Sequence, residues 1–125
     1  MNHIVALFGE SEKGQFKKPY ILQELPQLID LLGNPPQDSE GLFFAIQALL
    51  YQREIIYFRV QEEGYSQCDY LSGFKYLETV KRLDALCLPG VGDADILAAI
   101  QPICDIHKSM IISTQKDLFD YLTNA

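Results

Sequence analysis

The chain has 125 residues, the size of one domain, and 48% hydrophobic and 22% charged residues, the composition of an ordinary globular protein. Its 17 acidic and 10 basic residues give a formal net charge of −7. Because nucleic acids and anionic membrane surfaces need a cationic protein face, this balance excludes them as main partners. We therefore expect a single domain over residues 1–125 that folds without disulfides or metals.

The sequence gives little sign of a targeting segment or of cysteines that form disulfides or bind zinc. The first apolar run, residues 4–8, ends at Gly9 and is too short for a signal peptide, and no window has the roughly 18 apolar residues of a membrane span. The cysteines Cys68, Cys87 and Cys104 are odd in number and form no C-x-x-C pair, which argues against a disulfide framework and a zinc site. We expect a reduced, cytoplasmic protein.

The first third of the chain predicts one strand and one short helix. Residues 4–8 are a β-branched apolar run that predicts a strand, and residues 9–18 form a polar loop. Pro19 is expected to open a short turn. Pro26 suits the first position of a helix that continues to residue 32, and Gly33 ends it.

The middle third predicts two helices separated by a strand. A helix that starts at residues 38–40 is apolar on nearly every face up to residue 51, so we expect it to lie between layers or at a subunit contact. Residues 54–60 are dense in β-branched and aromatic residues and predict a strand. After a polar loop at residues 61–67, Asp69 is expected to cap a helix that reaches about residue 81.

The last third predicts two strands and two helices. Residues 83–88 form a strand that ends at a proline–glycine turn, and Asp93 caps the following helix. Pro102 lacks a backbone donor, so a kink or a restart is expected near Gln101. Residues 110–113 and 116–122 predict a final strand and a closing amphipathic helix.

Strands that alternate with helices four times over predict a parallel sheet covered on both faces. The strands are almost unbroken apolar runs, which is typical of a parallel sheet buried on both sides. We predict a three-layer Rossmann-like (flavodoxin-like) α/β domain with a four-stranded, mostly parallel sheet and helices on both faces.

Glycines and acids follow the predicted strands, at the edge where ligands bind to open parallel sheets. Carboxylates there suit ribose hydroxyls, an amine or an oxocarbenium-like transition state. Acids at these positions also stabilise helix N-termini by complementing the helix dipole, and in that case they have a structural role only. The candidate catalytic acids are Glu10, Asp93 and Asp95. The candidate ligand-binding residues are Gly9, Ser11, Tyr65, Gly90 and Gly92. We predict no metal site, because His3 and His107 fall at different edges, and no cofactor.

Residues 83–93, which include Pro89-Gly90-Val91-Gly92-Asp93, resemble the P-G-G-x-G-T-x-x-E turn of the lysine-decarboxylase-like phosphoribohydrolases. Phe8-Gly9-Glu10-Ser11 is similar to the end of that family's first strand. Gly92-Asp93-Ala94-Asp95 is similar to the nucleophile region of nucleoside deoxyribosyltransferases. The resemblance implies a Rossmann-like sheet, cleavage or exchange of an N-glycosidic bond, and Gly90 and Gly92 as ligand-facing backbone. One glycine of the family's signature is missing, Asp93 stands at its threonine position, and its glutamate is not matched.

Three functions remain open at this point. The first is a non-catalytic module that works by self-association, as a homo-oligomer, or by binding a partner through its apolar helix. The alternative is a nucleoside- or nucleotide-binding protein, or an N-glycosidic-bond hydrolase or transferase, whose partner is a nucleoside-like small molecule. The third is a cation-dependent activity of the acidic loops. We favour the module, because the nucleotide signature departs from its pattern at the most informative positions.

Overall fold

The computed structural model describes residues 3–124, which form an α/β fold with a five-stranded mixed sheet. The strands, in chain order, are β1 (Ile4–Gly9), β2 (Pro19–Leu22), β3 (Glu54–Arg59), β4 (Ala85–Cys87) and β5 (Met110–Ile112). The helices are α1 (Leu25–Leu32), α2 (Gly41–Leu50), α3 (Gln67–Leu77), α4 (Ala94–His107) and α5 (Gln115–Asn124). No helix within residues 3–124 is long and apolar enough to cross a bilayer.

The strand order across the sheet is β2-β3-β1-β4-β5. β3, β1, β4 and β5 run parallel, whereas β2 is antiparallel to β3. After β1 the chain forms the edge strand β2 and then β3, which lies between β2 and β1. It next crosses over β1 and adds β4 and β5 on the other side. The order therefore reverses beside β1, which is the place where open α/β sheets form their ligand crevice.

The sheet differs from the predicted one by its fifth strand. Residues 19–22 form β2 and not the predicted turn, with Tyr20 and Leu22 buried and Ile21 exposed. This alternation is short, and Pro19 lies at the first position of an edge strand, where a missing backbone donor is tolerated. The prediction of an α/β domain is confirmed. The sheet is mixed and has five strands where four were predicted, because a four-residue edge strand gives too weak a sequence pattern.

The two faces of the sheet carry separate cores. Val5 and Leu7 point into the core beneath α1, α2 and α5, whereas Ala6 and Phe8 point into the core beneath α3 and α4. The period of two in β1 therefore feeds both layers, as an apolar strand buried on both sides must. Phe8 stacks on the Phe58 ring, with ring centres 4.7 Å apart. The result is the predicted three-layer arrangement of helix, sheet and helix.

Helix ends follow the local sequence in most places. Gly33 ends α1 at φ 78°, and Asp93 caps α4 through bonds from the backbone N–H groups of Asp95 and Ile96. Asp69 is not the N-cap of α3, since that position is Ser66. Its carboxylate instead accepts a bond from the backbone N–H of Gln61 at 2.9 Å. α4 runs through Pro102 as one helix, so the expected restart does not occur.

Candidate functional site

The loops that follow β1, β3 and β4 meet at one edge of the sheet, as the parallel order requires. We call this edge the rim. A side chain on Gly64 would lie 2.4 Å from the carbonyl oxygen of Gly90, so the β3–α3 and β4–α4 loops touch through their backbones. The Tyr57 hydroxyl donates to the carbonyl of Glu10 at 2.9 Å and ties the end of β1 to β3. The turns that follow three of the four predicted strands therefore meet at one edge.

Two glutamates organise the centre of the rim. The backbone N–H of Glu10 donates to Oε1 of Glu63 at 3.0 Å, and the backbone N–H of Glu63 donates to Oε2 of Glu10 at 2.9 Å. Each carboxylate therefore binds the backbone of the other loop. Glu10 is one of the predicted catalytic acids. Glu63 also follows a predicted strand, but it was not placed among the catalytic candidates, because its partners lie 22 to 53 residues away and local sequence does not show them.

The Glu63 carboxylate also occupies the N-terminus of α2. It accepts bonds from the backbone N–H groups of Glu40 at 2.8 Å and Gly41 at 3.1 Å. These are donors that a bound phosphate would use at a helix N-terminus. Burial raises the pKa of the Glu63 carboxyl, the backbone donors oppose that rise, and the nearby charge of Glu10 adds to it. The Glu63 carboxylate thus occupies the position at the N-terminus of α2 where a phosphate from outside the chain would bind.

The two predicted aspartates lie together at the start of α4. Asp93 Oδ1 accepts the backbone N–H groups of Asp95 and Ile96 at 2.8 and 3.1 Å, and Gln67 Nε2 donates to Asp93 Oδ2 at 3.0 Å. The Gln67 side chain and the capped backbone hold the pKa of Asp93 below its usual value. Asp93 is therefore an ionised acceptor at neutral pH and does not have the raised pKa of a general acid.

Gln67 also reaches Asp95, with Nε2 at 3.4 Å from Oδ2. This amide comes from α3, so it joins the β3–α3 loop to the acids of α4. Among residues 3–124, no hydrogen bond joins Glu10 to either aspartate. The structure thus brings the three predicted acids to one rim, but as two separate groups, Glu10 with Glu63 and Asp93 with Asp95.

The predicted ligand-binding residues fall into two kinds. Gly9 and Ser11 are already engaged within the fold: a side chain on Gly9 would lie 2.5 Å from Cα of Gly41, and the buried Ser11 hydroxyl donates to the carbonyl of Lys13 at 2.8 Å. Gly92 has no heavy atom within 4 Å of such a side-chain position, and Tyr65 is 69% exposed. Gly90 adopts φ 77°, where glycine is favoured.

Metal ligation finds no support in the part of the chain that is described. Within residues 3–124 no group of three or more His, Cys, Asp and Glu side chains is placed to hold a metal ion. His3 lies 3.8 Å from Asp84, and the His107 ring contacts the carbonyl of Leu77 at 3.0 Å. These two histidines therefore have structural neighbours at separate places.

A cavity lies between α2 and α5, on the outer side of this helix layer. It has a volume of about 320 Å³ and is lined by Phe43, Gln47, Gln115, Lys116, Leu118, Phe119 and Leu122. The layer that holds it exposes several large apolar side chains: Ile29, Leu31, Phe43, Leu50 and Phe119. The opposite layer of α3 and α4 exposes Leu71 and Ile106. The apolar surface of the described residues is therefore concentrated on the α2 side of the sheet.

Comparison with known proteins assigns no family to this fold. No protein-family model, no curated protein and no solved structure matches the chain. The functional inference therefore rests on the contacts described above.

Proposed function

We propose that the chain is a non-catalytic binding module that forms a homodimer through the outward face of α2. The observation that carries this proposal is a stripe of four residues at helical spacing, Phe43, Ile46, Gln47 and Leu50. Phe43 and Leu50 are exposed, and Ile46 and Gln47 are half-buried, whereas the other residues of α2 largely face the core. A helix that is apolar on its outer as well as its inner face needs a second surface to cover it.

The distribution of charge favours a second copy of the chain as the partner that covers the outer face of α2. Two chains of net charge −7 repel each other wherever acidic faces meet. α2 has no charged side chain in its ten residues, Gly41–Leu50, so the pairing of one α2 with another brings no formal charges together, and Lys116 is the one charged residue that lines the adjoining groove. Other faces of the molecule, such as the acidic rim, do not offer this.

The stripe is also self-complementary. Phe43 and Leu50 lie seven residues apart, which is two helical turns or about 10 Å. Two copies of α2 packed antiparallel around a two-fold axis would set Leu50 of each copy against Phe43 of the other, with Gln47 near the axis. The groove between α2 and α5, which Phe43 and Phe119 line, gives the protruding Leu50 of the second copy a place to pack.

The exposed area is sufficient for the apolar centre of such a contact. Phe43, Leu50 and Phe119 are 40%, 59% and 58% exposed. Because a large side chain buries about 150–250 Å² when it is covered, these three contribute roughly 300 Å² per copy. A standard interface buries about 800 Å² per partner, and its centre is its most apolar part.

The contacts at the rim disfavour phosphate binding there. The helix N-termini of α2 and α4 have donors bound to Glu63 and Asp93, so a nucleotide phosphate would have to displace a carboxylate from either one. Of the other two acids, Glu10 accepts a hydrogen bond from the backbone of Glu63, and Asp95 accepts one from the Gln67 side chain. This arrangement supports a scaffold that has no phosphate-dependent chemistry at this edge.

The experiment is a comparison of two arginine substitutions by light scattering over a range of protein concentrations. Leu50→Arg is expected to convert a dimer into a monomer, because it places a charge in the apolar contact. Leu71→Arg, on the exposed surface of α3 in the opposite layer, serves as the matched control and is expected to remain dimeric. A wild-type chain that is monomeric at all concentrations, or a Leu50→Arg chain that still dimerises, would refute the homodimer.

A nucleoside-binding rim is the second candidate function, and the joining of the Asp93–Asp95 pair to the β3–α3 loop by Gln67 favours it. These carboxylates, with the exposed Tyr65 two residues before Gln67, suit ribose hydroxyls and a base, without any phosphate contact. Melting temperatures measured with a panel of free nucleosides test this. A shift that Asp95→Asn abolishes would support it, and a flat response across the panel would contradict it.

A further inference from the structure

The outer edge of β2 is open to a further strand, and it involves neither the outer face of α2 nor the acids of the rim. β2 is the last strand on its side of the sheet. At either end of β3, the backbone N–H groups of Glu54 and Val60 donate to β1. Because backbone direction alternates along a strand, the odd-numbered residues of β3 face β2, where they pair with Tyr20 and Leu22. Ile21, between these two, therefore turns its N–H and C=O groups outward.

The residues on either side of Ile21 limit the length of this open edge. Pro19 offers an outward carbonyl but has no N–H group. The N–H group of Gln23 already donates to Oε1 of Gln27 at 2.8 Å. Within residues 3–124, no hydrogen bond from another segment reaches the outward groups of Ile21. The edge thus offers three backbone groups, which suit a short extended segment.

The loop before β2 is a concentration of positive charge in an acidic protein. Lys13, Lys17 and Lys18 are three of the ten basic residues of the chain, and residues 13–23 contain no acid. All three lysine side chains are exposed. None of them forms an ion pair with an acid among residues 3–124, although the chain has 17 acids. The loop is therefore a cationic surface that the fold itself does not neutralise.

Arg59, at the end of β3, adds a fourth cation to this loop. Its Nη1 donates to the carbonyl of Gly14 at 2.6 Å, and its guanidinium carbon lies 4.4 Å from the centre of the Phe16 ring. No described acid pairs with Arg59 either. These contacts hold the loop against the end of β3, next to the open edge.

The edge also presents apolar surface. The Ile21 side chain is 53% exposed. It borders a groove of about 200 Å³ that Ile56 and Tyr76 also line. An apolar side chain on a segment that pairs with β2 would lie beside Ile21 at this groove, because paired residues share a face of the sheet.

We propose that the edge of β2 binds a short, extended acidic segment of another protein by strand addition. The segment exchanges backbone hydrogen bonds with Ile21, donates to the Pro19 carbonyl, and places acidic residues beside Lys17 and Lys18. Antiparallel pairing gives this order, since the residues that follow the one opposite Ile21 then run back toward the lysines. Main-chain bonds supply affinity in this mode of recognition, and alternate side chains supply specificity.

Two other occupants fit the edge less well. A nucleic-acid strand would gain from the lysines, but the net charge of −7 repels a long polyanion. A second copy paired antiparallel at Ile21 would place Glu24 opposite Lys18, but it would place the apolar Leu25 opposite Lys17. A segment with consecutive acids matches both lysines.

The test is a titration of ¹⁵N-labelled protein with the peptide Thr-Val-Thr-Val-Glu-Asp, blocked at both ends. Its second residue is designed to lie opposite Ile21, and its two acids opposite Lys18 and Lys17. We expect a saturable shift of the Ile21 amide resonance, with a dissociation constant on the order of 100 µM. A peptide that ends in Gln-Asn is expected to bind about tenfold more weakly, because it lacks both charges.

N-methylated peptides distinguish backbone pairing from a contact made by charge alone. A methyl group on the nitrogen of the second residue removes the donor to the Ile21 carbonyl and is expected to abolish binding. A methyl group on the nitrogen of the third residue, which points away from β2, is the matched control and changes affinity by about twofold or less. Equal affinities of the two peptides would overturn strand addition.

Protein variants test the cationic loop. Lys17→Gln and Lys18→Gln are each expected to weaken peptide binding about threefold, whereas Lys75→Gln, on the exposed surface of α3, keeps wild-type affinity. The proposal is overturned if the peptide causes no saturable shift of the Ile21 amide. It is also overturned if an oligothymidylate binds more tightly than the peptide, or if the Ile21 amide shifts with protein concentration alone. Those two results would assign the edge to a nucleic acid or to a second copy.

Discussion

Glu10 and Glu63 exchange hydrogen bonds across the rim, with the backbone N–H of each donating to the carboxylate of the other at 3.0 and 2.9 Å. The pair joins the end of β1 to the β3–α3 loop. Because Glu63 also binds the first backbone donors of α2, one side chain fixes the relative positions of a strand, a loop and a helix. The rim is thereby held by the chain itself and needs no ligand for its order.

The Glu63 carboxylate is expected to contribute measurably to stability. Glu63→Gln keeps the shape of the side chain but turns an N–H group toward the backbone donors of α2. We expect the free energy of unfolding to fall by about 2 kcal/mol, because backbone N–H groups of Glu10, Glu40 and Gly41 lose an acceptor. Urea unfolding checks this, with Glu62→Gln in the same loop as the control. A loss no larger than that of the control would show that Glu63 does not hold the rim.

The same pair of proteins tests the pKa of Glu63. Burial raises this pKa above its ordinary value of 4.5. The folded protein then binds more protons at Glu63 than the unfolded chain does, so the contribution of this group to stability is largest below its ordinary pKa and declines as pH rises through the raised one. The difference in unfolding free energy between wild type and Glu63→Gln is expected to shrink from pH 4 toward neutrality. A difference that grows with pH would mean that the pKa is lowered.

Substitution by alanine is expected to destabilise the protein strongly at one rim glycine and hardly at all at another. In Gly9→Ala the new Cβ would lie 2.5 Å from Cα of Gly41 and 2.6 Å from the Tyr57 hydroxyl oxygen, so backbone must shift and stability falls by about 3 kcal/mol. In Gly92→Ala the Cβ meets no heavy atom within 4 Å, and stability changes by about 0.5 kcal/mol or less. Urea midpoints of the two variants decide the matter. Equal losses would contradict the close approach of Gly9 and Gly41.

The end of α4 offers a stabilising substitution. Lys108 has a left-handed backbone with φ 55°, and the N–H groups of Lys108 and Ser109 both bond to the carbonyl of Cys104. Glycine adopts this conformation without strain and is the usual residue at such a helix end. Lys108→Gly is expected to raise the unfolding free energy by about 0.5–1 kcal/mol. Lys108→Ala removes the same side chain without relieving the backbone, so a similar gain from alanine would rule out strain as the cause.

The α2 contact predicts a specific sensitivity to charge. Gln47 lies near the two-fold axis of the proposed dimer, so Gln47→Glu places two carboxylates close together. We expect the dissociation constant to rise about tenfold at low salt and to recover partly at high salt, since salt screens like charges. Sedimentation analysis at two ionic strengths measures this. Gln101→Glu, on the exposed surface of α4, is the control, and equal effects of the two variants would place the interface elsewhere.

Local sequence patterns determined most of the elements of this fold. β1, β3, β4 and β5 each contain a short apolar run, which is typical of strands in a parallel sheet that is covered on both faces. The stop at Gly33 and the cap at Asp93 depend only on residues within one helical turn, so they were predictable. The gathering of acids and glycines at one edge followed from the common direction of the parallel strands.

The tertiary structure alone decided what the polar residues of this chain do. Glu63 and Glu10 are 53 residues apart, and Arg53 reaches a carbonyl 69 residues away. β2 is a strand because β3 offers it hydrogen bonds, although its own four residues carry little signal. A hydrogen bond depends on which donor and acceptor the folded backbone brings within about 3 Å, and sequence neighbours do not contain that information.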